Sequence, residues 1–161
     1  MVPEELFVME AVLQGIISFF FSSSLTLVLM LAFGEDPSWT WLLVVPVCAL
    51  MMGSCGGIGL ILAALVPLFS DLSQVIQIVL RPMFWMTPII YPISQVPDGS
   101  LKVIVWMQPM TPYVQSVRQV LFYGTVPDIK LWALMIIWTV ASILVGRFTL
   151  CRLRSAVRDS L

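Results

Sequence analysis

Histidine is missing from the 161 residues, charge is scarce at 8 Lys or Arg and 9 Asp or Glu, and no Lys or Arg occurs before Arg81. A soluble domain carries about 25% charged residues. Here 11% are charged and 60% hydrophobic, with a mean hydropathy of +1.01, too little charge to cover a water-facing surface. The net charge of -1 excludes a strongly basic nucleic-acid surface and an acidic disordered tail. Without a basic start, Met1 to Glu10 lacks the form of a secretory signal peptide. Cys48, Cys55 and Cys151 include no CxxC pair, and no histidine can complete a zinc site. On one helix Cys48 and Cys55 would stand about 10 Å apart along the axis, too far for a disulfide, so all three read as apolar fillers.

What is present is long apolar runs. Ala11 to Gly34 holds 24 uncharged residues, enough at about 1.5 Å each to cross a hydrocarbon core of about 30 Å. A first span is expected at 11–33, broken by Gly34-Glu35-Asp36-Pro37-Ser38. The second, 39–66, opens on Trp39 and Trp41, residues that favour the membrane interface. A third, 71–91, starts where Asp71-Leu72-Ser73-Gln74 has capping-box spacing, and Arg81-Pro82 should kink it. Proline or glycine recurs through 92–130, leaving two short helical pieces, the second with Val114, Val117 and Leu121 on one face and Gln115, Ser116 and Gln119 elsewhere. That is the pattern of an interfacial or re-entrant helix. The last span, 131–150, has only 16 uncharged residues before Arg147 and crosses if Lys130 and Arg147 snorkel. The expectation is an all-α membrane protein of four spans and two short gate helices, with an N-terminal segment 1–10 and a tail 151–161. Arg147, Arg152, Arg154 and Arg158, crowded into the last 15 residues, put both termini in the cytoplasm by the positive-inside rule. In an alternative, Leu101 to Gly124 forms a fifth span and the tail lies outside.

Candidate chemistry is sparse. Gly53 to Gly59 is glycine-rich but lacks the Lys-Ser or Lys-Thr of a phosphate loop. Gly53 and Gly57, with Ala49, form one small-residue row, and Gly59, with Cys55 and Ala63, another, both read as helix packing. None of the spans has an interior Asp or Glu, which disfavours an ion-coupled carrier. An intramembrane enzyme is disfavoured too, for want of paired carboxylates or a nucleophile beside a base. Neither cofactor nor metal is called for. Arg81, the one charge deep in a span, either contacts an anionic ligand or turns inward to Gln74, Gln77 or a partner subunit. Trp85, Tyr91, Trp106, Tyr113 and Tyr123 make either an interfacial belt or platforms along which sugar rings slide.

The blocks Thr87-Pro88-Ile89-Ile90-Tyr91-Pro92-Ile93-Ser94, Gln108-Pro109-Met110-Thr111-Pro112 and Val117-Arg118-Gln119-Val120-Leu121, with Tyr123-Gly124, resemble the ABC-2 type permeases that export polysaccharides and polyol phosphates. Upstream, Gly57 to Leu65 and Phe69-Ser70-Asp71-Leu72 are similar to that family's glycine-rich fourth span and the loop after it, and Val2 to Leu6 to the end of its coupling segment. Glu4 stands where the family often has a basic residue, Gln108 where it has asparagine, and Pro67 and Ser70 in a loop commonly more basic.

The resemblance implies a homodimeric permease in the bacterial inner membrane, paired with ATPase subunits. Its cargo would be a lipid-linked glycan or teichoic-acid-like polymer. It further implies that Glu4, Glu5 and Asp71 meet the ATPase, that Arg81 and Arg118 meet the polymer, and that an interface helix and two spans of the family would precede Met1. A truncated, inactive permease and a non-transporting assembly subunit are the alternatives.

Overall fold

A computed structural model describes residues 4–34, 38–66, 68–69 and 71–160. Among them there are helices and turns but no strand. The helices are α1 (Glu4–Ala32), α2 (Val44–Leu65), α3 (Leu72–Met86), α4 (Ser100–Met107), α5 (Thr111–Phe122) and α6 (Ile129–Ser160). Gly34 follows α1 at φ +83°, the left-handed conformation that closes a helix without a Cβ penalty. A 3-10 turn, Trp39–Leu43, leads into α2, its start capped by the Ser38 hydroxyl accepting from the Thr40 N–H. Pro46 is tolerated because it lies in the first turn of α2, where backbone donors have no intrahelical partner.

Three stretches are long and apolar enough to cross a membrane: Leu13–Ala32, Trp39–Leu65 and Ile129–Leu153, each of mean hydropathy 2.0. They coincide with three of the four expected spans, and α6 runs beyond Leu150 to Ser160. The other expected span, 71–91, is shorter as a helix. α3 stops at Met86, after 15 residues or about 22 Å, because Thr87 precedes Pro88 and its extended backbone (ψ 127°) is the one that proline permits. Asp71 does not complete the expected capping box. Its backbone is helical (φ -87°, ψ -8°), a geometry that points the side chain away from the capping position, and it makes no side-chain cap bond. The stretch Leu101 to Gly124 of the five-span alternative is not one continuous helix, since Gln108, Pro109 and Met110 separate an 8-residue α4 from a 12-residue α5.

α2 and α6 form the body. Leu50 meets Thr139, Ser54 meets Ser142, and Gly57 meets Gly146, so residue numbers rise together on both helices and the pair is parallel. A side chain at Gly57 would come within 2.6 Å of the Ile143 nitrogen and 2.7 Å of the Ser142 oxygen; one at Gly53 would come within 2.9 Å of Thr139 Cγ2. The row of Gly53 and Gly57 is thus where α6 approaches, the close contact that small residues permit between helices in a membrane. Gly59, two residues on and turned about 200°, is half-buried on another side of α2. α5 runs the opposite way to both: Val120 accepts from Thr40 near the start of α2, while Tyr113 reaches Thr139 at the level of Leu50. α1 is largely exposed and α3 has no buried residue.

Candidate functional site

Polar side chains gather where α3 ends and α4 and α5 fold against α2 and α6. Tyr113, with no exposed surface, packs between Val47 and Met135. Its hydroxyl lies 2.9 Å from Thr139 Oγ1 and 3.0 Å from the Met135 carbonyl, and Thr139 Oγ1 is 3.0 Å from the Leu50 carbonyl. Thr139 Oγ1 also lies 2.7 Å from the Met135 carbonyl of its own helix, so the two hydroxyls and the Met135 and Leu50 carbonyls form one cluster that joins three helices. Tyr113, one of the aromatics expected at the interface or along a sugar path, thus has its ring in the core of this chain.

On α5, Gln115 and Ser116 are buried, whereas Val114 and Leu121 are half-exposed. The buried side of α5 is therefore mixed, with Gln115 and Ser116 beside Tyr113 and Val120.

Where α3 ends, side chains bond its last carbonyls and those of the following turn, the Met83 carbonyl in addition to the Thr87 N–H it already accepts. Gln108, 7% exposed, donates through Nε2 to the Met83 carbonyl and to Thr87 Oγ1, both at 2.6 Å. Thr87 donates through its own hydroxyl to Met83 at 2.9 Å. The Tyr91 hydroxyl lies 2.8 Å from the Met86 carbonyl and 3.3 Å from that of Trp85. Arg118 donates to the carbonyls of Pro88 (3.0 Å), Ile89 (2.8 Å) and Tyr91 (3.0 Å). Backbone polar groups inside a membrane must find partners within the protein, and these residues provide them.

Beside this reversal lies an open, mostly apolar groove of about 660 Å³ whose walls include Trp85, Met86, Tyr91, Leu101 and Val105. It contains two of the sequence-selected aromatics, Trp85 (68% exposed) and Tyr91. Trp106 is half-buried on α4 and stands outside the groove, and Tyr123 is exposed after α5.

Arg81 is exposed, and among the described residues it has no hydrogen-bond or ion-pair partner, Gln74 and Gln77 included. At 3.6 residues per turn, Gln74, Gln77, Arg81 and Trp85 fall within one 80° sector of α3, and all four are exposed. The stripe runs from the start of α3 into the groove. Asp71 is exposed at that start. Glu4 and Glu5 fall within α1, and their side chains lie outside the described residues. Lys102 is paired with Asp98 at 2.6 Å; the hydrogen bond and then the charge of the lysine hold that carboxyl below its usual range.

Sequence reasoning missed Gln108 as a structural donor and Thr139, Ser142 and Gly146 as the partners of α2. A signal for the latter was available in Ser142 and Gly146, small residues four apart on a long apolar helix.

The sequence model of the ABC-2 type transporter membrane family matches residues 1–122. The chain belongs to the ABC-2 type transporter family. Over 152 residues this ABC-2 chain is 28% identical to the O-antigen export system permease protein RfbA of Myxococcus xanthus, a match covering 90% of the chain and 58% of that relative. The chain therefore spans a little under three fifths of the relative's length. Family membership and three long apolar helices make this ABC-2 chain a multi-pass membrane transporter component rather than an enzyme.

Proposed function

We propose that the chain is the transmembrane permease of an ATP-driven exporter that passes a lipid-linked polysaccharide or polyol-phosphate polymer outward across the bacterial inner membrane. The similarity to an O-antigen export permease along 90% of the chain carries this reading. A homodimer paired with separate ABC ATPase subunits follows from it. In the proposed topology α3 is a fourth span and both termini are cytoplasmic. The parallel course of α2 and α6 supports this, because a chain leaving α2 on one face must cross the membrane once more before entering α6 in the same direction. α3 is the segment available for that crossing, and antiparallel α4 and α5 are re-entrant gate helices that leave the count unchanged.

In this arrangement Glu4, Glu5 and Asp71 share the cytoplasmic side and meet the ATPase. Gln74, Gln77 and Arg81 face the polymer, the amides matching sugar hydroxyls and the guanidinium matching phosphate or acidic sugars with a planar donor fork. Trp85, Tyr91 and Trp106 supply apolar faces for sugar rings.

Deleting the gene should abolish surface polymer and leave it on its lipid carrier inside the cell; a full coat of surface polymer in the deletion strain would falsify the export reading. Topology has its own test in a cysteine introduced at Asp159, which should react with a membrane-impermeant thiol reagent only after the cells are opened. Reaction in intact cells would place the end of α6 outside.

A further inference from the structure

The reversal after α3 is attached to the rest of the protein by polar bonds rather than by packing. α3 itself buries no residue, and just past its end only Thr87 and Pro88 are buried before Val105. Two side chains bridge from that point to α5 and the turn before it: Gln108, to Met83 and Thr87, and Arg118, to Pro88, Ile89 and Tyr91. α5 in turn is locked to α2 and α6 through Tyr113. Three of the five donors of the Arg118 guanidinium point at carbonyl oxygens 27 to 30 residues away. Such charge-assisted bonds are about twice as strong as neutral ones.

We propose that Arg118 is a positioning residue rather than a polymer contact: it is the joint that fixes the 88–91 turn to α5, so that any displacement of α3 is delivered to α5 and the groove between α3, the turn and α4 keeps its shape. The proposal takes its transport consequence from the export reading above, and its structural half stands apart from it. If α3 moves during transport, the motion has two routes to α5. The Gln108 bridge holds the end of α3 to the start of α5, and the Arg118 bridge holds the following turn two helical turns further along. Together they fix both position and angle. Removing Arg118 leaves a single pivot at Gln108.

The test uses the full chain in its own cells, with Cys48, Cys55 and Cys151 replaced by alanine, and two readouts. In membrane vesicles, Thr87→Cys reports the joint directly, since Thr87 is 4% exposed. Adding Arg118→Gln should raise its labelling rate by at least about tenfold, as loss of a charge-assisted set implies, with Arg118→Lys in between. An unchanged labelling rate overturns the joint whatever the protein transports. In cells, Arg118→Cys with Ile89→Cys should export poorly, and bridging the two thiols with a short bis-methanethiosulfonate should return surface polymer to near the cysteine-free parent's level, because the link replaces the joint without a guanidinium. If bridging restores nothing, the guanidinium itself meets the polymer and the proposal fails. A parent that exports no polymer at all would sink the export reading and leave the Thr87→Cys measurement to decide the joint.

Discussion

Gly57 of α2 and Gly146 of α6 meet backbone to backbone: a Cβ built on Gly146 would run into the Gly57 carbonyl, and one on Gly57 into the peptide between Ser142 and Ile143. Backbone cannot turn aside as a side chain does, so either methyl group forces the helices apart. Gly57→Ala should lower stability by about 1–3 kcal/mol or more, read as a fall in the thermal midpoint of the purified protein in detergent. Gly15→Ala is the matched control. Nothing lies within 4 Å of that Cβ, and the helix propensity of alanine should make the change neutral or stabilising by up to about 1 kcal/mol.

The Tyr113–Thr139–Leu50 cluster makes a coupled prediction. Tyr113→Phe and Thr139→Val should each cost about 0.6–1.7 kcal/mol, the range for interhelical hydrogen bonds in membranes. The double variant should cost less than their sum, because each single change already breaks the shared bond. Strict additivity in a thermal-unfolding cycle would mean the two hydroxyls act separately.

How much of this was open to sequence reasoning depends on what each signal measures. Spacing of small residues identified the face of α2 that contacts another helix, but Gly53 and Gly57 carry no information about which helix arrives. The break after α3 was visible in Pro88, yet the span was carried on to Tyr91 because hydropathy does not fall there. For Tyr113 the sequence leaves an interfacial belt and a sugar platform open, and for Arg118 the polymer contact is what the family resemblance implies. The structure occupies their polar atoms with backbone carbonyls from residues 22 to 30 positions away. Such pairings are set by tertiary folding, which periodicity does not encode.

Gln108 offers a test by donor reversal. Its Nε2 faces two oxygens, Met83 O and Thr87 Oγ1. Gln108→Glu keeps the shape and, when ionised, presents an acceptor to the Met83 carbonyl. The expected loss is about 1–3 kcal/mol. It should shrink as pH is lowered, because burial raises the carboxyl's pKa and the protonated form regains a donor. A pH-independent midpoint difference between Gln108→Glu and the parent would show that the amide proton is immaterial.

On the polymer-facing stripe, Arg81→Lys keeps the charge and loses the fork. Surface polymer should fall while membrane insertion and ATPase association hold; wild-type export at matched protein level would remove Arg81 from the path. Asp71→Asn keeps the size of the side chain and removes its charge, so membrane insertion should hold while ATPase association weakens where charge matters.

The pairing of α2 with α6 also has a consequence in time. Ser54 and Ser142 are 88 residues apart, and at about 5–20 residues per second of synthesis α6 follows α2 by roughly 4–18 s. During that interval the glycine face and the Ser54 hydroxyl of α2 have only lipid, or an insertion chaperone, beside them. A ribosome that stalls before α6 therefore leaves α2 with its closest-fitting surface bare.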